Sequence, residues 1–279
     1  MSLNLEQLFP HAKPWVDNLA NIPPATWVNG PKFGFATWEV GHILSLIVLG
    51  GTTILMNLRL LGAGVTQEKP SEIYRNLRFW QNVGVIGIVV TGILIGSANA
   101  VRLYDSAAFI VKMLALLAGV ILTYGVSRPV AAAEGAVGPM QKIWFALGSA
   151  IFLLGIYVFV TSELINVGVY HIITGAALIV LFATRGRLRW VYAGVLAALI
   201  VAQFLNTHVL IKPDDYDHLT PVNKVWTGVF TAWIVGVALF QLFRAGKGEE
   251  GGPLTKIIAY ATILVWVMGA AAGRWIAFA

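Results

Sequence analysis

Eight stretches of about twenty apolar residues, nearly free of charge, constrain this chain more than any other feature. They cover 35–61, 82–101, 106–127, 143–163, 164–184, 190–211, 225–243 and 257–278. A helix rises about 1.5 Å per residue, so roughly 20 such residues cross the about 30 Å of hydrocarbon in a bilayer. The charged residues inside these spans are Glu39, Arg59, Lys112, Glu163 and Arg274, each toward one end of its span. Continuous apolar runs, as opposed to alternating ten-residue strands, argue against a membrane β-barrel. Composition agrees: 58% of the 279 residues are hydrophobic and 11% charged, against about a quarter charged in soluble domains. The expected fold class is all-α, a polytopic membrane protein with eight transmembrane helices. Cysteine is absent, which removes disulfides, thiolate zinc sites, iron–sulfur clusters and covalently attached haem.

The segment 1–34 lacks the basic start, apolar stretch and cleavage site of a signal peptide. Its Leu5, Leu8, Trp15 and Leu19 are spaced for a short helix on the membrane surface, interrupted by Pro10, Pro14, Pro23 and Pro24. The net charge of +6 fits basic cytoplasmic loops better than a nucleic-acid partner, and none is expected. Twelve Lys and Arg, including Arg59, Arg75, Arg78, Arg128 and Arg185, fall on one face. Seven, including Lys13, Arg102, Lys112, Lys224 and Arg274, fall on the other. This places the first set in the cytoplasm and both termini in the periplasm of a bacterial inner membrane.

The spans also suggest a duplication. Gly41-His42-Ile43 opens span 1 and Tyr170-His171-Ile172 opens span 5; Lys112 and Lys224 open spans 3 and 7; Gln141-Lys142-Ile143 and Thr255-Lys256-Ile257 open spans 4 and 8. The reading is two four-helix units, 35–163 and 164–279. With an even number of spans each, they would be parallel repeats about an axis along the membrane normal.

A family resemblance follows from these residues. Glu39-Val40-Gly41-His42, running on to Asn57-Leu58-Arg59-Leu60-Leu61-Gly62, resembles a family of small uncharacterised four-helix bacterial membrane proteins. That family combines Glu-x-x-His with Asp-Leu-Arg-Leu-Leu-Gly. Thr91-Gly92, Tyr104, Phe109, Lys112 and the ending Gly273-Arg274-Trp275-Ile276-Ala277 match its pattern as well. The resemblance implies a fused dimer of such units and carries no settled chemistry. Asn57 stands where the family tends to have Asp.

The candidate site comes from the histidines. His42 and His171 lie at equal depth, roughly 10 Å below the outer starts of spans 1 and 5. An imidazole within hydrocarbon must be hydrogen-bonded or ligated. The sharp expectation is a non-covalent haem b with His42 and His171 as axial ligands, and His208, nearer the surface, as a further candidate metal ligand. Glu39, one turn before His42, would take the second ring N–H. Arg102, Lys112 and Arg274 would meet the haem propionates. A polar network holding the helices together, or a different metal, stays open beside this reading.

The function expected on this basis is a membrane-integral b-type cytochrome subunit, carrying electrons near the periplasmic face between quinol and a periplasmic redox partner such as a cytochrome or dehydrogenase. It would be an electron-transfer subunit more than an independent enzyme. A quinone would rest against Trp38, Trp80 or Trp226. The alternative is a cofactor-free anchor or assembly subunit of a larger membrane complex, or a homo-oligomer. Transport is disfavoured by the apolar bilayer centre.

Overall fold

The computed structural model describes residues 3–161, 165–210, 216–244 and 251–276, with side chains for 3–161, 172–210, 221–241 and 251–276. Every regular element among them is helical. In order they are α1 (Leu5–Leu8), a 3-10 turn (Pro10–Ala12), α2 (Lys13–Leu19), α3 (Ala25–Asn29), α4 (Gly34–Leu60), α5 (Pro70–Ala98) and α6 (Ala100–Asp105). There follow α7 (Ala107–Val120), a π turn (Ile121–Ser127), α8 (Arg128–Ala132), α9 (Pro139–Thr161) and α10 (Ile165–Ala183). The last are α11 (Gly186–Leu205), a second π turn (Asn206–Leu210), α12 (Tyr216–Arg244) and α13 (Pro253–Trp275).

Seven of these helical stretches are long and apolar enough to cross a membrane: 34–60, 70–98, 107–132, 139–161, 186–210, 221–241 and 253–275. Among the described residues the count is seven, against the expected eight. The stretch 164–184 is helical from Ile165, but only its shorter apolar part, Ile172–Ala183, has described side chains. The second span is also corrected. Its helix begins at Pro70, twelve residues before the apolar run, so Arg75 and Arg78 ride on the helix and not on a loop. Proline is well placed there, since the first turn leaves its N–H unused and its fixed φ suits the helix. The same residue opens α9 and α13.

The other end of the long loop is set by Leu58-Arg59-Leu60-Leu61-Gly62. The Ala63 N–H donates to Leu58 C=O at 2.7 Å and the Gly62 N–H to Arg59 C=O at 2.9 Å. These two bonds close a Schellman cap. It requires a left-handed residue, and Gly62 supplies it at φ +72°. Inside the same motif, Asn57 donates to Thr53 C=O and accepts from the Ser127 hydroxyl at 2.7 Å, tying α4 to the π turn. Pro129, just beyond that turn, has no N–H to continue a regular ladder.

Two cores result. Leu49, Met56, Val111, Leu122, Phe159, Ile263 and Met268 pack α4, α5, α7, α9 and α13 together. Val180, Tyr192, Phe230 and Ile234 join α10, α11 and α12 in a smaller one. The last helix in sequence therefore sits in the core of the first four. Trp266 of α13 donates its indole N–H to Thr123 at 2.9 Å, and Thr255 donates to Gly135 C=O at 2.8 Å. Among the described residues, α13 packs against both α4 and α10, the helices that carry His42 and His171.

Outside, Ile47, Ile86 and Leu153 are exposed along the middle of their helices. In water such a band would drive aggregation, whereas hydrocarbon solvates it as well as a partner would. The chain is a multi-pass membrane protein. The segment before α4 folds as three short helices and a 3-10 turn, held to α6 by Asn4 donating to Asp105 C=O and the Tyr104 hydroxyl donating to Phe9 C=O. Trp15, Trp27 and Phe33 stay exposed on it, as expected of a segment resting on a membrane surface.

Candidate functional site

The helices α4 and α5 form an antiparallel pair, the most extensively packed among the described residues. Their contacts recur in steps of seven residues on each helix: Leu49 against Gly84, then His42 against Thr91. Seven residues are close to two full turns, so both pairs fall on the same seam. At Gly84 a Cβ would stand 2.7 Å from the backbone nitrogen of Leu49. Only glycine permits that approach, and the approach brings the next pair within hydrogen-bonding reach.

His42 Nδ1 lies 2.8 Å from Thr91 Oγ1. The Thr91 hydroxyl in turn donates to Gly87 C=O one turn back. A hydroxyl has one proton, so toward His42 it accepts. Nδ1 therefore carries the imidazole proton and Nε2 keeps a lone pair. That nitrogen faces Lys112 of α7, whose Nζ lies 3.4 Å away. The walls around this group are small. Gly41 lies against the Thr91 methyl, a Cβ at Gly92 would be 3.4 Å from His42 Cε1, and a Cβ at Gly273 would be 3.6 Å from Lys112 Nζ. Four helices, α4, α5, α7 and α13, thus converge on one imidazole and one amine.

The positions singled out in sequence divide accordingly. His42 and Lys112 are brought together, with Lys112 at the ring nitrogen itself and not at the distance a propionate partner would need. Glu39 is exposed, and the ring N–H it was expected to receive goes to Thr91. Arg274 follows Gly273 at the same end of the bundle and is exposed, as is Arg102 on α6. The side chain of His171 lies outside the described residues; one turn further on, a Cβ at Gly175 would be 2.6 Å from Val267 of α13. His208 is exposed on the π turn after α11, stacked on Phe204 at 4.5 Å and bonded to Thr207 at 2.8 Å. The three candidate quinone-site tryptophans are scattered. Trp38 is on α4 near His42, Trp80 packs on Phe79 in the first half of α5, and Trp226 of α12 donates to Asn206. No cluster of three or more His, Cys, Asp or Glu suited to a metal occurs among the described residues.

Sequence reasoning missed two things. Thr91 entered the sequence reading only through the family pattern, although its spacing from Gly84 matches that of His42 from Leu49. At the opposite end of the bundle, Arg128 stands over the rings of Tyr124 at 4.4 Å and Tyr74 at 5.4 Å and donates to Asn82 at 2.9 Å. Tyr124 also donates to Asn82, at 3.0 Å. This second cluster is internally satisfied and ties α5 to the end of α7.

Residues 32–168 match the model of a family of unknown function, DUF6644. The matched region holds His42, Thr91, Gly92 and Lys112, while Gly273 and the rest of α13 lie beyond it. No curated protein and no solved structure matches the chain.

Proposed function

We propose that the chain is a membrane-integral b-type haem protein that passes electrons, with His42 as an iron ligand. One observation carries the reading: the His42 ring has its Nδ1 proton committed to Thr91, leaving a lone pair on Nε2 inside an apolar bundle. Iron binds an imidazole through such a nitrogen, and a ligating His characteristically gives its other N–H to an acceptor. The walls around this imidazole are the backbones of Gly41, Gly92 and Gly273, packed against Thr91, His42 and Lys112. Bound haem would supply reversible one-electron transfer. The chain's own part is to hold the ligand nitrogen, fix its tautomer and keep the site apolar.

The wider setting belongs to the same proposal. Arg59, Arg128 and Arg185 at the end opposite His42 favour a cytoplasmic face there. His42 then sits toward the periplasmic side of an inner membrane, where electrons would pass between quinol and a periplasmic cytochrome or dehydrogenase. Two parallel four-helix repeats stay part of this proposal.

The deciding experiment is a reduced-minus-oxidised spectrum of the purified protein, with a pyridine haemochromogen assay for haem b. Sharp b-type bands are expected, and they should vanish in His42→Ala. Thr91→Val keeps the side-chain shape and removes the acceptor, so haem affinity should fall by about 10–100-fold with little change in folding. A flat spectrum overturns the reading. One observation favours the second reading in that event: Thr91 and Lys112 already satisfy both ring nitrogens. His42 would then clamp three helices together in a cofactor-free anchor or assembly subunit.

A further inference from the structure

We propose that Arg128 and Arg78 hold the phosphate of an anionic phospholipid at the end of the bundle opposite His42. This site does not depend on haem. Arg128 is 9% exposed, and its guanidinium lies over the rings of Tyr124 at 4.4 Å and Tyr74 at 5.4 Å. One of its N–H groups goes to Asn82 Oδ1 at 2.9 Å, which also takes the Tyr124 hydroxyl at 3.0 Å. Hydrogen bonds thus satisfy the inner side of the cluster, but its charge is not balanced. Among the described residues no carboxylate pairs with Arg128 or Arg78. The carboxylates on neighbouring turns are engaged elsewhere, Glu134 with the Ser71 hydroxyl and Glu72 with the Lys69 N–H at the start of α5. The remaining nitrogens of Arg128 carry no hydrogen bond among the described residues, and none of them is sealed from the surface. A guanidinium stripped of most of its water and lacking a counter-charge gains strongly from an anion at its open edge.

The register of α5 brings a second arginine and an apolar surface to the same place. Tyr74, Arg78, Asn82 and Ile86 follow one another at four-residue steps, so they form one ridge along the helix. Arg78 and Asn82 are exposed, and Ile86 is 63% exposed. Over the about 12 Å of rise from Arg78 to Ile86, the ridge passes from cation to hydrocarbon-facing side chains. Phe79 and Val83 are exposed beside it. A small soluble anion would use only the first half of this surface. A phospholipid uses both halves, its phosphate against the guanidinium edges and its chains along Val83 and Ile86. The two tyrosine rings and Asn82 hold the Arg128 fork in place, which suits bidentate binding of phosphate oxygens and limits the entropy lost on binding. Basic pockets between membrane helices take anionic headgroups in this way.

The test uses the full-length protein purified in detergent and titrated with phosphatidylglycerol or phosphatidylcholine, bound lipid being counted by native mass spectrometry. Phosphatidylglycerol should bind the wild type more tightly than phosphatidylcholine, whose choline offsets the phosphate charge. Arg78→Gln should weaken phosphatidylglycerol binding about five-fold, and Arg128→Gln about ten-fold or more. Neither should alter phosphatidylcholine binding. Arg187→Gln is the control. Arg187 is an exposed arginine at the same end of the bundle, two residues from Arg185, whose guanidinium lies near Gly62; its loss should leave phosphatidylglycerol binding unchanged. Equal losses in Arg187→Gln and Arg78→Gln would mean general attraction to a basic surface and overturn the site. Equal binding of the two lipids overturns it as well, and a wild type that takes inorganic phosphate as tightly as phosphatidylglycerol overturns the lipid as occupant. If Arg128→Gln does not accumulate, Arg78→Gln against Arg187→Gln still decides, because the Arg78 side chain is exposed and outside the hydrogen bonds of the cluster.

Discussion

Gly84→Ala should destabilise the protein by about 1–3 kcal/mol, and Gly84→Leu by more. The added Cβ would lie 2.7 Å from Leu49 N and 2.9 Å from its Cα. Ordinary carbon contacts begin at about 3.5 Å, and a backbone cannot swing aside as a flexible side chain does. The helices α4 and α5 must therefore separate. His42 and Thr91 lie one seven-residue step further along the same seam, so the 2.8 Å bond between them should lengthen or break. Gly50→Ala is the matched control. It changes the same residue type in α4, with nothing within 4 Å of the new carbon, and should be neutral or stabilising through helix propensity. Thermal unfolding in detergent, followed by circular dichroism, gives the comparison. Equal melting temperatures for Gly84→Ala and wild type would refute the close approach.

Trp266→Ala should be the most damaging truncation in α13. The indole is 6% exposed, donates to Thr123 and lies where a Cβ at Gly119 would be 2.9 Å away. Removing it opens a cavity beside the π turn and leaves a buried hydroxyl without its donor. In water-soluble cores Trp→Ala costs about 3–5 kcal/mol. In a bilayer the transfer term shrinks, because lipid solvates an indole too, so about 2–4 kcal/mol is expected. Trp190, 77% exposed on α11, should lose about 0.5 kcal/mol or less on the same change. Similar losses for the two variants would contradict the placement of α13 within the first core.

The membrane helices were legible because an apolar run of bilayer length has few competing explanations. Their ends were less so. Arg75 and Arg78 ended the apolar run of span 2 although the helix continues back to Pro70, since hydropathy reports the hydrocarbon boundary and not the hydrogen-bond ladder. The site was half legible. A histidine at membrane depth demands a partner, which drew attention to His42. The partner's identity depends on the seam between two antiparallel helices, and only the Gly84 approach fixes it. Lys112 was expected to meet a haem propionate, yet α7 aims its amine at the His42 ring. The place of α13 left no local mark at all, for its contacts with α4 and α7 join residues more than a hundred positions apart.

That placement has a consequence for biogenesis. The stretch ending at Ala132 completes its membrane passage about 120 residues before Pro253 is made. At 5–20 residues per second the interval is roughly 6–24 s. Throughout it, the groove that Trp266 and Met268 will fill is open to lipid or to the insertion machinery. Nascent chains stalled before α13 should therefore be the preferred targets of intramembrane quality control, and the final helix acts as the latch that releases the protein from it.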